Sequence, residues 1–441
     1  MDAVAARRTP AGSPVAHGMH AVIWALESIG SSGLVPHSVA ALDARFLKFI
    51  YVDSEATLTV RRASESYLEA EISADGLVAI VLKLTLGTVS PLSGPSDAPL
   101  VEIPIQPLNL DLAAVADRRG LMPNTGAETW SLAFPVAARI VGTAQIEELA
   151  HLSTLVGMIC PGLQSIFSTV NLTFGTAIDR SQGLSFHVQS VDDRFRLVEI
   201  AVAGTGLIGS ISAFSRPAPV AQSGASLRLA RVGPREFAST TALIIGGSRG
   251  LGAMSARIIA QGGGRVIATF LNGALEAEEL RAEIGSEACR VLRYDAREEP
   301  ASQLGELPWN ITQLYYFATT QIFRQKASLF DSSRFREFCK IYVDGFSAIS
   351  TAIQSLGASD LRAFYPSSVA VEESSRQLTE YRMAKAAGEL LCADMNMYAT
   401  GIRVWVRRLP RILTDQTATV IPVESADALD VMLPIIREMH T

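Results

Sequence analysis

Two short segments hold residue types at spacings that suit chemistry. In Ile245-Gly246-Gly247-Ser248-Arg249-Gly250-Leu251-Gly252, the glycines Gly246, Gly250 and Gly252 fall between an apolar run that predicts a strand and a run that predicts a helix. Glycine lets backbone approach a pyrophosphate closely, and a helix N-terminus offers unsatisfied N–H groups and a partial positive charge to receive it. Far downstream lies Tyr381-Arg382-Met383-Ala384-Lys385. Tyr381 and Lys385 stand four apart in a stretch rich in Ala, Met, Leu and Glu, so the spacing predicts one helix face carrying both. Hydride delivery to a ketone leaves an alkoxide that must be protonated. A phenol with an ordinary pKa of about 10 is a poor partner near neutrality unless a cation lowers it, and Lys385 would be that cation.

The elements that must position these groups follow from pattern. Ser215-Arg216-Pro217-Ala218-Pro219 and Gln222-Ser223-Gly224-Ala225-Ser226 are polar, Pro-bearing and aperiodic, which predicts a linker over 217–238. Beyond it, apolar runs at 242–245, 265–270, 289–294 and 313–317 alternate with amphipathic stretches at 253–261 and 276–284. That alternation predicts an α/β, doubly wound parallel sheet over 239–441. Before the linker the order is different. A helical run through Glu27 precedes predicted strands at 56–61, 67–72 and 76–86, turned at Ser73-Ala74-Asp75 and Gly87; a helical run at 146–165 then precedes strands at 171–174, 184–188, 195–202 and 206–214. Helix followed by antiparallel strands, twice over, predicts one buried helix wrapped by a curved sheet in each of two halves, 1–98 and 99–216.

Composition narrows the classes. With 441 residues, 48% of them hydrophobic, and a mean hydropathy of +0.25, the chain can bury two or three cores. A net charge of -6 with scattered Lys and Arg provides no basic field for nucleic acid or anionic lipid. Cys160, Cys289, Cys339 and Cys392 lie far apart, which argues against a structural zinc or a disulfide framework and predicts buried small hydrophobes. The apolar run at 21–26 is closed by Glu27, so no signal peptide is expected, and no run approaches the roughly 18 apolar residues of a membrane span. A cytoplasmic location is the expectation, with no metal, no membrane and no nucleic acid as partner.

The region from about Thr240 to the C-terminus resembles the short-chain dehydrogenase/reductase family, whose pattern is T-G-x-x-x-G-x-G followed much later by Y-x-x-x-K; here Ile245 replaces the threonine. The resemblance implies a Rossmann-type fold and an NAD(P)-dependent oxidoreductase. It implies Tyr381 as general acid, Lys385 tuning it and holding the nicotinamide ribose, and Ser368 on the substrate carbonyl. Adjacent Ser367 competes for that last role, and Ser368 is preferred on spacing. Cofactor contacts are implied for Gly246, Ser248, Arg249, Gly250, Leu251, Gly252, Asp295 (on the adenine), Ala318 and Thr414 (on the carboxamide). Arg249, with no acid in Thr269-Phe270-Leu271-Asn272, favours NADP (as NADPH) over NAD. Departures are as informative. The Asn-Ala-Gly element becomes Phe317-Ala318-Thr319-Thr320, the helix asparagine of the family's proton relay becomes Tyr342, Pro-Gly becomes Pro410-Arg411, and no seventh strand is evident.

In the front half, Ala16-His17-Gly18-Met19, Leu42-Asp43-Ala44-Arg45-Phe46 and Tyr51-Val52-Asp53 look like MaoC-type hotdog dehydratases and hydratases, with 152–217 resembling a second hotdog. The resemblance implies an α+β double-hotdog region ahead of the Rossmann-type sheet. Such enzymes place an Asp and a His five apart just before the helix. Asp2 and Ala6-Arg7-Arg8-Thr9-Pro10 match the segment immediately after that dyad, which leaves His17 and His20 as remaining candidates. Together the resemblances imply reduction of a 3-oxoacyl thioester on coenzyme A or an acyl carrier protein, by a homo-oligomer for which a dimer is favoured. Two alternatives stand: a bifunctional reductase/dehydratase whose true start lies upstream, and a non-catalytic NADP-binding, acyl-binding scaffold.

Overall fold

The computed structural model describes residues 6, 11–35, 37–94, 97–123, 128–177, 183–217, 231–305, 307–323, 328–373, 375–414, 417 and 423–441. Most of the expected linker, 218–230, and Asp2 with Arg7 to Pro10 lie outside these residues. Contacts divide the chain into two units, one built from Ser13–Ala218 and the other from Pro219–Ala418 and Val423–Thr441.

The first unit holds strands β1 (Val39–Phe46), β2 (Ala56–Ala63), β3 (Tyr67–Ala74), β4 (Leu77–Leu86), β5 (Ser90–Leu92), β6 (Arg119–Met122), β7 (Ser165–Ala177), β8 (Leu184–Asp192), β9 (Leu197–Ala203) and β10 (Leu207–Ser215). Its longer helices are α1 (Gly18–Ser31) and α2 (Thr143–Thr154), and a π turn, Leu155–Ile159, continues α2. The ten strands make one sheet in the order β2-β3-β4-β1-β7-β10-β9-β8-β6, with β5 paired to β7. Strict alternation explains its inner face: along β3 the side chains of Leu68, Ala70, Ile72 and Ala74 are buried and those between are not. The hairpin after β3 turns on Asp75 (φ 51°) and Gly76 (φ 72°), the Asp-Gly pair that suits a two-residue turn with both central residues left-handed. Helix α1 is buried nearly all round, through Met19, Val22, Ile23, Ala25, Leu26 and Ile29, as expected of a helix enclosed by a sheet. The two halves share this sheet and one hydrophobic core, because β1 of the first pairs antiparallel with β7 of the second, Leu42 opposite Leu172.

The second unit is a parallel six-stranded sheet: β11 (Thr241–Ile245), β12 (Arg265–Phe270), β13 (Cys289–Arg293), β14 (Gln313–Tyr316), β15 (Leu361–Ser368) and β16 (Ile402–Leu409), in the order β13-β12-β11-β14-β15-β16. This is the Rossmann order, with its reversal between β11 and β14. Both faces are covered, so the central strands β11 and β14 are buried almost throughout, while the edge strands β13 and β16 carry exposed arginines. Ala242 and Ile244 join the core on one face, and Leu243 and Ile245 join the core on the other. The covering helices include α3 (Gly250–Gln261), α4 (Ala274–Ile284), α5 (Ser332–Cys339), α6 (Phe346–Ser355), α7 (Thr379–Tyr398) and α8 (Ala428–His440). Between α5 and α6 the chain makes a π turn, Lys340–Gly345. Helix α3 begins at Gly250, three residues before the expected start, which places Gly250, Leu251 and Gly252 in its first turn.

Candidate active site

At the reversal point, the glycine turn leaves β11 and enters α3. Gly246 adopts φ 78°, and a Cβ there would stand 3.0 Å from the Phe317 carbonyl and 3.1 Å from the Ala318 nitrogen. Its N–H donates to Thr269 Oγ1 at 3.0 Å, and that of Gly247 donates to the Thr269 carbonyl at 2.8 Å, so the turn is clipped to the end of β12. A Cβ on Gly252 would lie 2.2 Å from the Gly246 carbonyl oxygen, which leaves room for glycine alone where helix and turn meet. Arg249 precedes α3 in an extended conformation and makes no side-chain cap. The first turn of α3 therefore points backbone N–H groups out of a glycine-lined cradle, the arrangement that accepts a pyrophosphate. Ser248 and Leu251, on the same turn, are half-buried. Thr414 approaches Gly250, its Cγ2 lying 3.8 Å from where a Cβ would be, and its hydroxyl meets that of Thr417 at 3.1 Å. The Asp295 carboxylate is taken by Arg297, with bonds of 2.9 Å to Nε and 2.7 Å to Nη2, and this guanidinium holds it below the usual carboxylate range.

One strand across, with β14 between, β15 ends at Ser368. Helix α7 presents Tyr381 and Lys385 on one face, both buried. The Ser368 hydroxyl accepts the Ala370 N–H at 3.2 Å and lies near enough to the Tyr381 phenol to favour its ionised form. Ser367 points elsewhere: it is bonded to Glu389, whose carboxylate Arg408 holds at 2.8 and 2.6 Å. The two adjacent serines thus face different partners. Lys385 donates from Nζ to the Pro366 carbonyl at 2.6 Å. The ammonium is otherwise ringed by aromatic faces, with Nζ 4.0 Å from the Tyr342 centroid, 4.9 Å from Tyr365 and 6.0 Å from Tyr381.

Lys385 would serve as a fixed cation that lowers the phenol, but burial acts more strongly on both groups. It pushes the lysine down to about 7, and it pushes Tyr381 above the usual phenol range, against the effect of Ser368. The pair therefore begins as a protonated phenol beside a lysine poised near neutrality. Two partners of Lys385 escaped sequence reasoning. Pro366 and Tyr365 lie in the strand before Ser368, and Gly388 lets the helix pass Tyr365, since a Cβ there would stand 1.9 Å from the Tyr365 hydroxyl. A glycine inside an Ala- and Leu-rich helix was the available signal for that close approach.

In the first unit, His17 precedes α1, exposed and making no side-chain cap, and the His20 ring lies edge-on to Phe134 at 5.7 Å and to Trp130 at 6.1 Å. A different polar group is buried there, on α2: Glu147, Glu148 and His151. Burial raises the Glu148 carboxyl to about 7 although it accepts the Thr205 N–H, and Gly204 leaves space for it, a Cβ there falling 2.4 Å from the carboxylate. Cys160, Cys289 and Cys392 are buried, Cys339 is half-buried, and all four are free thiols. Among the described residues, no group of three or more His, Cys, Asp or Glu is placed to hold a metal ion, and no helix is long and apolar enough to cross a membrane.

No protein-family model matches the chain, and no curated protein matches it. Solved structures similar to part of it include a putative short chain dehydrogenase from Pseudomonas syringae, at 18% identity and TM-score 0.41, covering 47% of this chain and 92% of that one. Another is serine dehydrogenase from Escherichia coli, at 20% identity and TM-score 0.36, covering 40% and 86%. A third is a gluconate 5-dehydrogenase from Burkholderia cenocepacia in complex with NADP and tartrate, at 20% identity and TM-score 0.36, covering 42% and 76%.

Proposed function

We propose that the second unit is an NADPH-dependent carbonyl reductase of the short-chain dehydrogenase/reductase type. Its substrate in this reading is a 3-oxoacyl thioester, on coenzyme A or an acyl carrier protein, reduced to the 3-hydroxyacyl form. The observation that carries the reading is the gathering of Ser368, Tyr381 and Lys385 at the C-terminal edge of the sheet, with β14 between them and the Gly246 turn. That cradle suits a dinucleotide, because Gly246 and Gly252 let the turn pack closely against β14 and the start of α3, whose first-turn N–H groups face outward. Arg249 beside it, with no acid in Thr269-Phe270-Leu271-Asn272, suits a 2′-phosphate. Bound there, NADPH supplies the hydride.

The chain's own groups do the rest. Tyr381, held protonated by burial, gives its proton to the carbonyl oxygen as charge develops there. Ser368, beside the phenol, orients that oxygen. Lys385, near neutrality at about 7, takes up or releases a proton at little cost, which suits a group that reloads the phenol. The first unit we read as a double hotdog, supported by its twice-repeated order of helix and antiparallel strands in one sheet. It gives the thioester class to the substrate and an acyl-holding role to itself. We place the protein in the cytoplasm as a homodimer.

The test is NADPH oxidation by the whole chain over short 3-oxoacyl thioesters, beside Tyr381→Phe. Turnover that the variant abolishes, with NADPH affinity nearly kept, is the expected result. Tight NADPH binding with no turnover over the panel would select the non-catalytic scaffold.

A further inference from the structure

The π turn Lys340–Gly345 breaks the helical run from Ser332 to Ser355 into α5 and α6. A π turn inserts a residue into the helical ladder and re-aims the side chains that follow it, and such turns gather at functional sites. This one is built in. Tyr316 donates its hydroxyl to the Ile341 carbonyl within the turn at 2.6 Å. Gly345 ends it where a Cβ would stand 2.5 Å from both the Tyr316 hydroxyl and the Ala296 carbonyl. The side chain so aimed is Tyr342, fully buried, stacked on Phe338 at 5.7 Å and edge-on to Tyr381 at 5.7 Å. Its hydroxyl meets Thr319 Oγ1 at 2.6 Å, which fixes the ring from its far end to the chain just past β14.

We propose that Tyr342 is the positioning residue of Lys385: the π turn sets its ring face against Nζ, and the Thr319 bond locks it there, so that an aromatic face does the holding. The inference rests on the reductase reading for its purpose, though not for its geometry. An ammonium has three N–H donors, and among the described residues the Pro366 carbonyl is the acceptor in reach. The groups facing Nζ are the rings of Tyr342, Tyr365 and Tyr381 from three elements, with Glu389 and Cys392 acting from its own helix. At 4.0 Å, Tyr342 is the nearest of the rings. Its quadrupole attracts the charged form of the lysine, while its bulk keeps out the water that would solvate that form more strongly. Removing the face and keeping the site dry must therefore lower the lysine pKa. Replacing the face with a polar amide must raise it.

The chain has five lysines, Lys48, Lys83, Lys326, Lys340 and Lys385, so lysine labelled with carbon-13 at Cε yields few resonances, and Lys385→Met assigns the one of interest. Titrated by NMR without nucleotide or substrate, Tyr342→Leu should lower the Lys385 midpoint by about one pH unit. Tyr342→Phe, which keeps the face and loses only the Thr319 bond, should shift it by clearly less than Leu, and Tyr342→Asn should raise it. Should the leucine variant not fold, phenylalanine with increasing fluorination at position 342 withdraws the quadrupole at nearly constant volume, and the midpoint should fall step by step. A midpoint indifferent to fluorination, or shifted equally by Leu and Phe, overturns the proposal. The titration stands apart from turnover. An inactive protein with these shifts would sink the reductase reading alone, and an active one without them would sink only the role of Tyr342.

Discussion

Lys385→Met should make the second unit more stable. Buried among rings, the Lys385 ammonium is held at about 7 against an ordinary 10.5. At about 1.4 kcal/mol per pH unit, charging it there costs roughly 4–5 kcal/mol. Methionine has nearly the same length and no charge. It forfeits the bond to the Pro366 carbonyl, worth about 1 kcal/mol, so the expected net gain is ~3 kcal/mol. The sign with pH follows from proton counts. The folded pKa is depressed, so between pH 7 and 10.5 the unfolded chain binds the extra proton, and wild-type stability from this group climbs with pH. Below pH 7 both states are protonated and the cost is present in full. The advantage of the variant should therefore be constant below pH 7 and shrink toward pH 10. Urea-dependent hydrogen exchange, read on peptides from β15 and α7, assigns the change to the second unit. A variant less stable than wild type at pH 6, or an advantage independent of pH, would refute the burial argument.

Two further outcomes follow from the same geometry. Arg249→Ala should weaken NADPH binding more than NADH binding, measured by fluorescence titration, and an equal loss for both would contradict a 2′-phosphate contact. Glu148→Gln should stabilise the first unit by roughly 3 kcal/mol at pH 8 and by almost nothing at pH 4.5. Its folded pKa is raised from 4.5 to about 7, so the destabilisation grows as pH rises through that window. The amide oxygen can still accept from Thr205, and hydrogen exchange of β9 and β10 peptides at both pH values checks the difference.

What the sequence made legible was chemistry tied to local spacing. Gly246 and Gly252 sit between strand and helix because backbone crowding admits nothing larger, Gly250 because its φ of 54° favours glycine, and Tyr381 and Lys385 share a face because four residues are about one turn. Strand β1 was not legible. Val39-Ala40-Ala41-Leu42-Asp43-Ala44-Arg45-Phe46 lacks the β-branched run that marks a strand, and pairing with β4 and β7 imposes the extended form. Glu147 and Glu148 fall in the helical run at 146–165 with nothing in their residue type to mark burial, yet both are buried, a position that only the tertiary fold sets. The lysine escaped for the same reason. Its residue type says cation, but the charge it carries near neutrality depends on three rings drawn from distant segments. The π turn that aims Tyr342 likewise has no local sequence signal to announce it.

The most direct measurement is isotopic. The whole chain, given a 3-oxoacyl thioester and NADPH carrying deuterium on either face of nicotinamide C4, should return a 3-hydroxyacyl product one mass unit heavier from one of the two labelled cofactors, and none from Tyr381→Phe. Product without deuterium from both cofactors, or labelled product formed equally well by Tyr381→Phe, would contradict hydride transfer to a carbonyl protonated by Tyr381.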